Sequence, residues 1–274
     1  MTASNIAFIG AGNMAKCIFA GMIDNGWPKA NIWATTRSEA SLEQVSQEYG
    51  VNVTQDNHEA VRQADIVVLA VKPQVLKSVL SELAPTLRES RPLIISVAAG
   101  ITLESLKQWS DASLPIVRCM PNTPSLLRCG ASGLYASEQV TEPQREITEA
   151  IFRSVGIALW VETEAMIDTV IAVSGSGPAY YFLFMEAMVD VGVKLGLDRQ
   201  TAEQLTLQTA LGAANMAVQS DVDAAELRRR VTSPGGTTEQ AIRAFREGGL
   251  EPLVEKAMQA AVERAAEMAI ELAD

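Results

Sequence analysis

Apolar residues follow two different rhythms along this chain. In the first part, short apolar runs alternate with helical patterns. Asn5–Ile9, Ile32–Thr35, Ala64–Val71, Leu93–Val97 and Ile116–Cys119 read as strands. Between them, helical spacing is predicted over Glu39–Tyr49, Pro73–Leu87 and Thr102–Trp109. Continuous apolar strands suit a parallel sheet covered on both faces. Strands that alternate with helices predict an α/β, doubly wound sheet. From Glu164 onward the period is helical almost throughout. Ala179–Leu195 is apolar nearly all round, which predicts a helix buried on most faces. Ala202–Gln219 reads as a second long helix, and a third is expected to begin near Pro252. The expected division is an N-terminal domain over residues 1–163 and an all-α domain over 164–274. So much small apolar helical surface is either a self-contained bundle or, the reading favoured here, partly buried against another copy.

The most informative segment joins the first strand to its helix. Gly10-Ala11-Gly12-Asn13-Met14-Ala15 has the form G-x-G-x-x-A after a strand and before a helix. Gly10 permits a tight turn, Gly12 lets a pyrophosphate approach the backbone, and Ala15 lets the helix pack on the sheet. The helix start offers free N–H groups and partial positive charge to phosphates. NAD enzymes usually place an acid at the end of the second strand. Here that strand runs into Thr35-Thr36-Arg37-Ser38, with no acid before Glu39. Two hydroxyls and a guanidinium suit a 2′-phosphate. NADPH is therefore the expected cofactor, with NADH the alternative. Asn57 is expected in the loop after a third strand position, on the adenosine side, and His58 beside it reads as a surface residue.

Composition narrows the classes. Charged residues number 22 basic against 33 acidic, a net −11, so a nucleic-acid partner is not expected. No stretch offers the ~18 uncharged apolar residues of a membrane span. The first strand starts almost at once, which leaves no room for a signal peptide, so a cytoplasmic protein is expected. Three unpatterned cysteines and a single histidine leave no disulfide framework, no cysteine-pair metal site and little room for a histidine-based triad.

Candidate chemistry lies past the strand ends. Ala70-Val71-Lys72-Pro73-Gln74, Val97-Ala98-Ala99-Gly100 and Met120-Pro121-Asn122-Thr123-Pro124 fall there. In the helical part, Ser174-Gly175-Ser176-Gly177-Pro178 serves either close packing or a ligand. Thr232-Ser233-Pro234-Gly235-Gly236-Thr237-Thr238 precedes a helix expected to start near Glu239. Thr237 and Gln240 have capping-box spacing. With Gly235 and Gly236 they predict a cradle for a carboxylate.

These motifs, with Gly175-Ser176-Gly177-Pro178-Ala179-Tyr180, stand in the order and spacing of pyrroline-5-carboxylate reductases, which the whole chain resembles. The resemblance implies a Rossmann-type domain followed by an all-α dimerisation domain. It implies NAD(P)H-dependent reduction of 1-pyrroline-5-carboxylate to L-proline, the last step of proline synthesis. It further implies a homodimer, since many members assemble as decamers built from dimers. Carried over by position, Ile9, Gly10, Ala11, Gly12, Asn13 and Met14 would hold the pyrophosphate, and Thr36 with Arg37 the adenosine phosphate. Asn57, Ala70, Val71, Lys72, Pro73, Val97, Ala98 and Ala99 would complete the cofactor site. Ser233, Gly235, Gly236, Thr237 and Thr238 would hold the substrate, using a helix of the partner subunit, with Glu164 near it. Thr238 is the expected proton relay or hydrogen-bond partner. Arg230 departs from the Asn of some relatives. A β-hydroxyacid dehydrogenase would need a lysine near Tyr181, and none occurs until Lys194. A non-catalytic NADPH sensor would show a degraded substrate loop.

Overall fold

A computed structural model describes residues 4–273. In chain order the elements are β1 Ile6–Ile9, α1 Asn13–Asp24, β2 Ile32–Thr35, α2 Glu39–Tyr49, β3 Asn52–Thr54, α3 Asn57–Arg62 and β4 Ile66–Leu69. There follow α4 Pro73–Ser90, β5 Leu93–Ser96, α5 Leu103–Trp109, β6 Ile116–Met120, β7 Gly130–Ala136, α6 Glu142–Arg153, β8 Gly156–Trp160 and α7 Met166–Val170. The remainder is helical: α8 Gly177–Lys194, α9 Arg199–Gln219, α10 Ala224–Arg230, α11 Thr237–Glu247 and α12 Leu250–Glu271. The chain forms two compact units. One ends at Ser176 and resumes at Ala261; the other is Gly177–Ala260.

The first unit is built on one sheet of order β3-β2-β1-β4-β5-β6-β7-β8. β1 pairs in parallel with β2 on one side and β4 on the other. Every residue of β1, β4 and β5 is buried, so these strands need no polar face. Alternate side chains feed two cores. Phe8, Val68 and Ile95 join Ala15, Ile18 and Phe19 of α1 and Phe152 of α6. Ile9, Val67 and Ile94 join Leu76 and Leu80 of α4 and Leu106 of α5. Helices cover both faces, as a doubly wound sheet requires.

The sheet is not parallel throughout. β7 is antiparallel to β6, and β8 runs parallel to β7. Length explains the reversal. The β6–β7 connection holds only a short 3-10 turn, Thr123–Leu127, whereas a parallel crossover needs about a dozen residues or more. The β7–β8 connection contains α6 and restores the parallel sense. β3, α3, β7, α6 and β8 are not among the elements predicted from the sequence, although α6 has a clear amphipathic period. β3 is three half-buried residues, so no apolar run announces it.

In the second unit, the expectation of a helix buried on most faces fails for α8. Only Gly177 and Val189 are buried along it. Tyr181, Phe182, Leu183 and Phe184 are exposed, as are Leu205, Leu207 and Leu211 on α9. Apolar patches of this extent mark an interaction surface. Among the described residues no helix is long and apolar enough to cross a membrane.

β8 depends on Gly156, whose φ is +152°. A Cβ there would run into the backbone carbonyl of Gly130, the residue paired with it. Gly156→Ala should therefore destabilise the first unit by about 2–4 kcal/mol, the upper range for overpacking. Denaturant unfolding checks this, and a change under 0.5 kcal/mol would show that β8 can shift freely.

Candidate cofactor and substrate site

Because β1, β2 and β4 are parallel, their carboxyl ends open on one edge, where the loops of such sheets bind ligands. There a cleft of about 490 Å³ is lined by Gly10, Ala11, Gly12, Thr36, Arg37, Asn57, Ala70, Val71 and Lys72 among others. The chain thus brings together residues from four separate turns. The lining carries Arg37 and Lys72 and no acid, on a chain of net charge −11.

The glycine turn is held from β2. Gly10 N–H donates to Thr35 Oγ1 at 3.1 Å, and Ala11 N–H donates to the Thr35 carbonyl at 2.7 Å. Gly10 has φ +95°, and a Cβ on it would lie 2.8 Å from Val71 Cγ1 and 3.1 Å from the Ala70 carbonyl. The tight approach of the β1 and β4 turns thus excludes any larger residue. At Gly12 a Cβ would meet nothing within 4 Å. That open backbone, followed by the free N–H groups of the first turn of α1, fits a phosphate.

Not every predicted cofactor residue lines this cleft. Ile9 is buried at the end of β1. Asn13 lines a separate groove with Lys16, Cys17 and Arg128, and Met14 packs on the first core. The backbone N–H groups of Asn13 and Met14, in the first turn of α1, have no intrahelical acceptor and are open to a phosphate. Pro73 is the first residue of α4, behind Lys72, which occupies the N-cap. Val97, Ala98 and Ala99 follow β5 and lie outside the cleft lining. Asn57 is not in a loop: it opens α3 behind the N-cap Asp56. Gln55, Val75 and Val79 also line the cleft, and sequence reasoning assigned them no role; Thr35 and Ser38, read there only as part of the segment after the second strand, line it too. Thr35 read as an ordinary strand end. Its signal is the need of the Gly10 N–H for an acceptor. His58, expected at the surface, is half-buried: its Nδ1 bonds Thr86 Oγ1 at 2.7 Å, and it does not line the cleft.

Glu164 belongs to the same unit. Its Oε1 accepts the Leu103 N–H at 2.6 Å and Arg118 Nη1 at 2.5 Å. Asp168 nearby has its carboxyl pushed up by burial, with Arg118 pulling it down and Glu164 pushing it up. Asn122 braces two neighbouring segments. Its amide donates to the Ser174 carbonyl at 3.0 Å and accepts the Ala131 N–H at 2.9 Å. Residues Ile171–Gly175 form one π-helical turn, a feature frequent at functional sites. A Cβ on Gly175 would lie 2.7 Å from Met120 Cε, the far end of a flexible side chain, so packing by itself does not demand glycine there.

The second unit holds the Ser233–Thr238 loop. The predicted capping box between Thr237 and Gln240 does not form. α11 starts at Thr237, two residues before the expected Glu239, with Gly236 as N-cap. Glu239 is thereby third in the helix, and its Oε2 accepts the Gly235 N–H at 2.8 Å. The N–H groups of Thr237 and Thr238, in the first turn, have no intrahelical acceptor. Arg230 Nε bonds Glu226 Oε1 at 2.8 Å. Arg229 and Arg230 together hold the Glu226 carboxyl down, at about 2.

Comparison with known proteins bears on this geometry. Residues 164–268 match the family model for pyrroline-5-carboxylate reductase dimerisation, and residues 5–100 match that for NADP oxidoreductase, coenzyme F420-dependent. The chain is 55% identical to a pyrroline-5-carboxylate reductase of Pseudomonas aeruginosa, over 99% of both chains. This chain belongs to the pyrroline-5-carboxylate reductase family. A solved family member from Coxiella burnetii is 48% identical with a TM-score of 0.94, covering 97% of this chain and 98% of that one. A pyrroline carboxylate reductase of Plasmodium falciparum, solved with NADP bound, is 31% identical with a TM-score of 0.86 and covers 98% and 99%. Like these reductases, the chain joins a Rossmann-type domain to a mostly helical dimerisation region.

Thr35→Val keeps the shape of the side chain and removes the acceptor of the Gly10 N–H. An unsatisfied group at a half-buried turn costs about 1–3 kcal/mol. The KM for NADPH should rise severalfold, with a matching loss of stability. An unchanged KM in steady-state assays would mean that the turn does not need this bond.

Proposed function

We propose that this chain reduces 1-pyrroline-5-carboxylate to L-proline with NADPH, as the reductase of the last step of proline synthesis. The observation that carries the cofactor reading is the end of β2. Thr36 and Arg37 line the cleft where an NAD enzyme would offer an acid to the ribose. The backbone of Gly10, Ala11, Gly12, Asn13 and Met14 takes the pyrophosphate. Thr36 and Arg37 take the 2′-phosphate, and Asn57 the adenosine side. Ala70, Val71, Lys72 and Pro73, with Val97, Ala98 and Ala99, flank the nicotinamide end.

When bound, NADPH supplies the hydride that the imine carbon accepts. The protein itself has to orient the ring and to manage one proton. Residues 164–274 act as the dimerisation and substrate region. The first-turn N–H groups of Thr237 and Thr238, with Ser233, Gly235 and Gly236, hold the substrate carboxylate at the positive end of α11. To an imine that arrives neutral, Thr238 offers the ring nitrogen a hydroxyl as hydrogen-bond partner or proton relay. Glu164 stands on the substrate side as a fixed carboxylate. Few acid–base groups are needed, because an imine that arrives protonated has only to be placed against the cofactor. The exposed apolar faces of α8 and α9 bury each other in a cytoplasmic homodimer, and a decamer of such dimers is the higher assembly that the resemblance implies.

The test is NADPH oxidation by the purified protein with 1-pyrroline-5-carboxylate, with L-proline identified as product. Arg37→Ala should raise the KM for NADPH at least tenfold and leave that for NADH nearly unchanged, as expected when a charge-assisted phosphate contact is lost. Equal losses would defeat the 2′-phosphate assignment. In the same assay Thr238→Ala should lower turnover about tenfold or more; full turnover would remove Thr238 from the chemistry.

A further inference from the structure

Arg118 is a buried cation that the proposed chemistry does not use. It lies on β6, 5% exposed, level with Ser96 at the end of β5 and with Tyr135 on β7. A guanidinium inside a sheet is costly unless it is paired and hydrogen-bonded. Its bonded partner is Glu164, and the contact is one-sided. Nη1 of Arg118 and the Leu103 N–H both donate to Oε1 of Glu164. Oε2 has no hydrogen-bond partner among the described residues, and the Glu164 side chain is 31% exposed. Asp168, on α7, is the other acid whose charge meets Arg118.

The place of this pair matters. Leu103 opens α5, directly after the 97–102 connection that leaves β5. β5 is the neighbour of β4, whose end lines the cofactor cleft. Arg37 marks the adenosine end of that edge at β2. The Glu164 carboxylate therefore stands toward the opposite end, where a dinucleotide laid across the strand ends places its reactive ring.

We propose that Arg118 is a positioning residue for the reduction: it pins Oε1 of Glu164 so that Oε2 is presented to the ring nitrogen of the substrate. This rests on the pyrroline-5-carboxylate reductase reading. A glutamate turns about three side-chain bonds. Two donors on one oxygen, one from a strand and one from a helix start, fix the carboxylate plane and leave the other oxygen to accept an N–H. A protonated imine carries that N–H and a neutral one does not, so the arrangement selects the form ready to accept hydride. Pre-orientation of this kind changes rates strongly, since small misplacements are costly.

The experiment measures kcat and KM for 1-pyrroline-5-carboxylate, the KM for NADPH and thermal unfolding in Arg118→Met, Arg118→Lys and Glu164→Gln. Arg118→Met keeps much of the length and loses the charge. Its KM for 1-pyrroline-5-carboxylate should rise about tenfold or more, with the KM for NADPH within about twofold. Arg118→Lys should recover part of the loss. A substrate KM unmoved in Arg118→Met overturns the inference. So does a parallel loss of both KM values without rescue by lysine, which marks a scaffold role alone. If Arg118→Met does not fold, Glu164→Gln decides: it keeps the shape, and an unchanged substrate KM overturns the inference. A wild-type protein that oxidises no NADPH with this imine defeats the functional reading as well, whereas wild-type turnover with unmoved variants defeats this inference only.

Discussion

The parallel pairing of β1 with β2 and β4 determines where the chemistry of this chain falls. Three buried strands pointing the same way must end on one edge, and each is followed by a turn that cannot be buried. Gly10–Gly12, Thr36–Arg37 and Ala70–Lys72 are those turns. The two bonds from the glycine turn to Thr35 tie the first of them to the second. The cleft is a consequence of strand direction, and its positive lining is local, standing against the charge of the whole chain.

The same constraint separates what the sequence reveals from what it conceals. Strands buried on both faces are continuous apolar runs, so β1, β4 and β5 are visible from the pattern alone, whereas Arg118 interrupts the run of β6. The turn after β1 is legible because only glycine satisfies both its conformation and its contact with Val71. Strand direction at the far edge is not legible. It depends on the length of the β6–β7 connection, and Thr123–Leu127 looks no different from other proline-bearing loops. The apolar all-round pattern of α8 does not mark burial within the chain, where its aromatic face is uncovered. The capping box fails because the helix begins at Thr237: Gly236 takes the N-cap, and Glu239 rather than Gln240 falls at the third position and accepts the Gly235 N–H.

Side-chain partnerships that span sequence are the least legible part. Thr35 with Gly10, Asn122 with Ser174 and Ala131, and Arg118 with Glu164 join positions with no local pattern between them. Each supports a predicted segment from outside it. Motifs single out short local segments; the residues that hold those segments in place appear only once the backbone brings them together.

The central claim is that this edge lays a nicotinamide cofactor against a cyclic imine for direct hydride transfer. The most direct test uses NADPH deuterated in turn on each face of nicotinamide C4, with unlabelled 1-pyrroline-5-carboxylate in water. With one of the two labelled cofactors, the L-proline formed should carry a single deuterium on its δ carbon, the former imine carbon. Proline formed without deuterium from either cofactor would contradict the account, because the hydrogen would then have come from solvent.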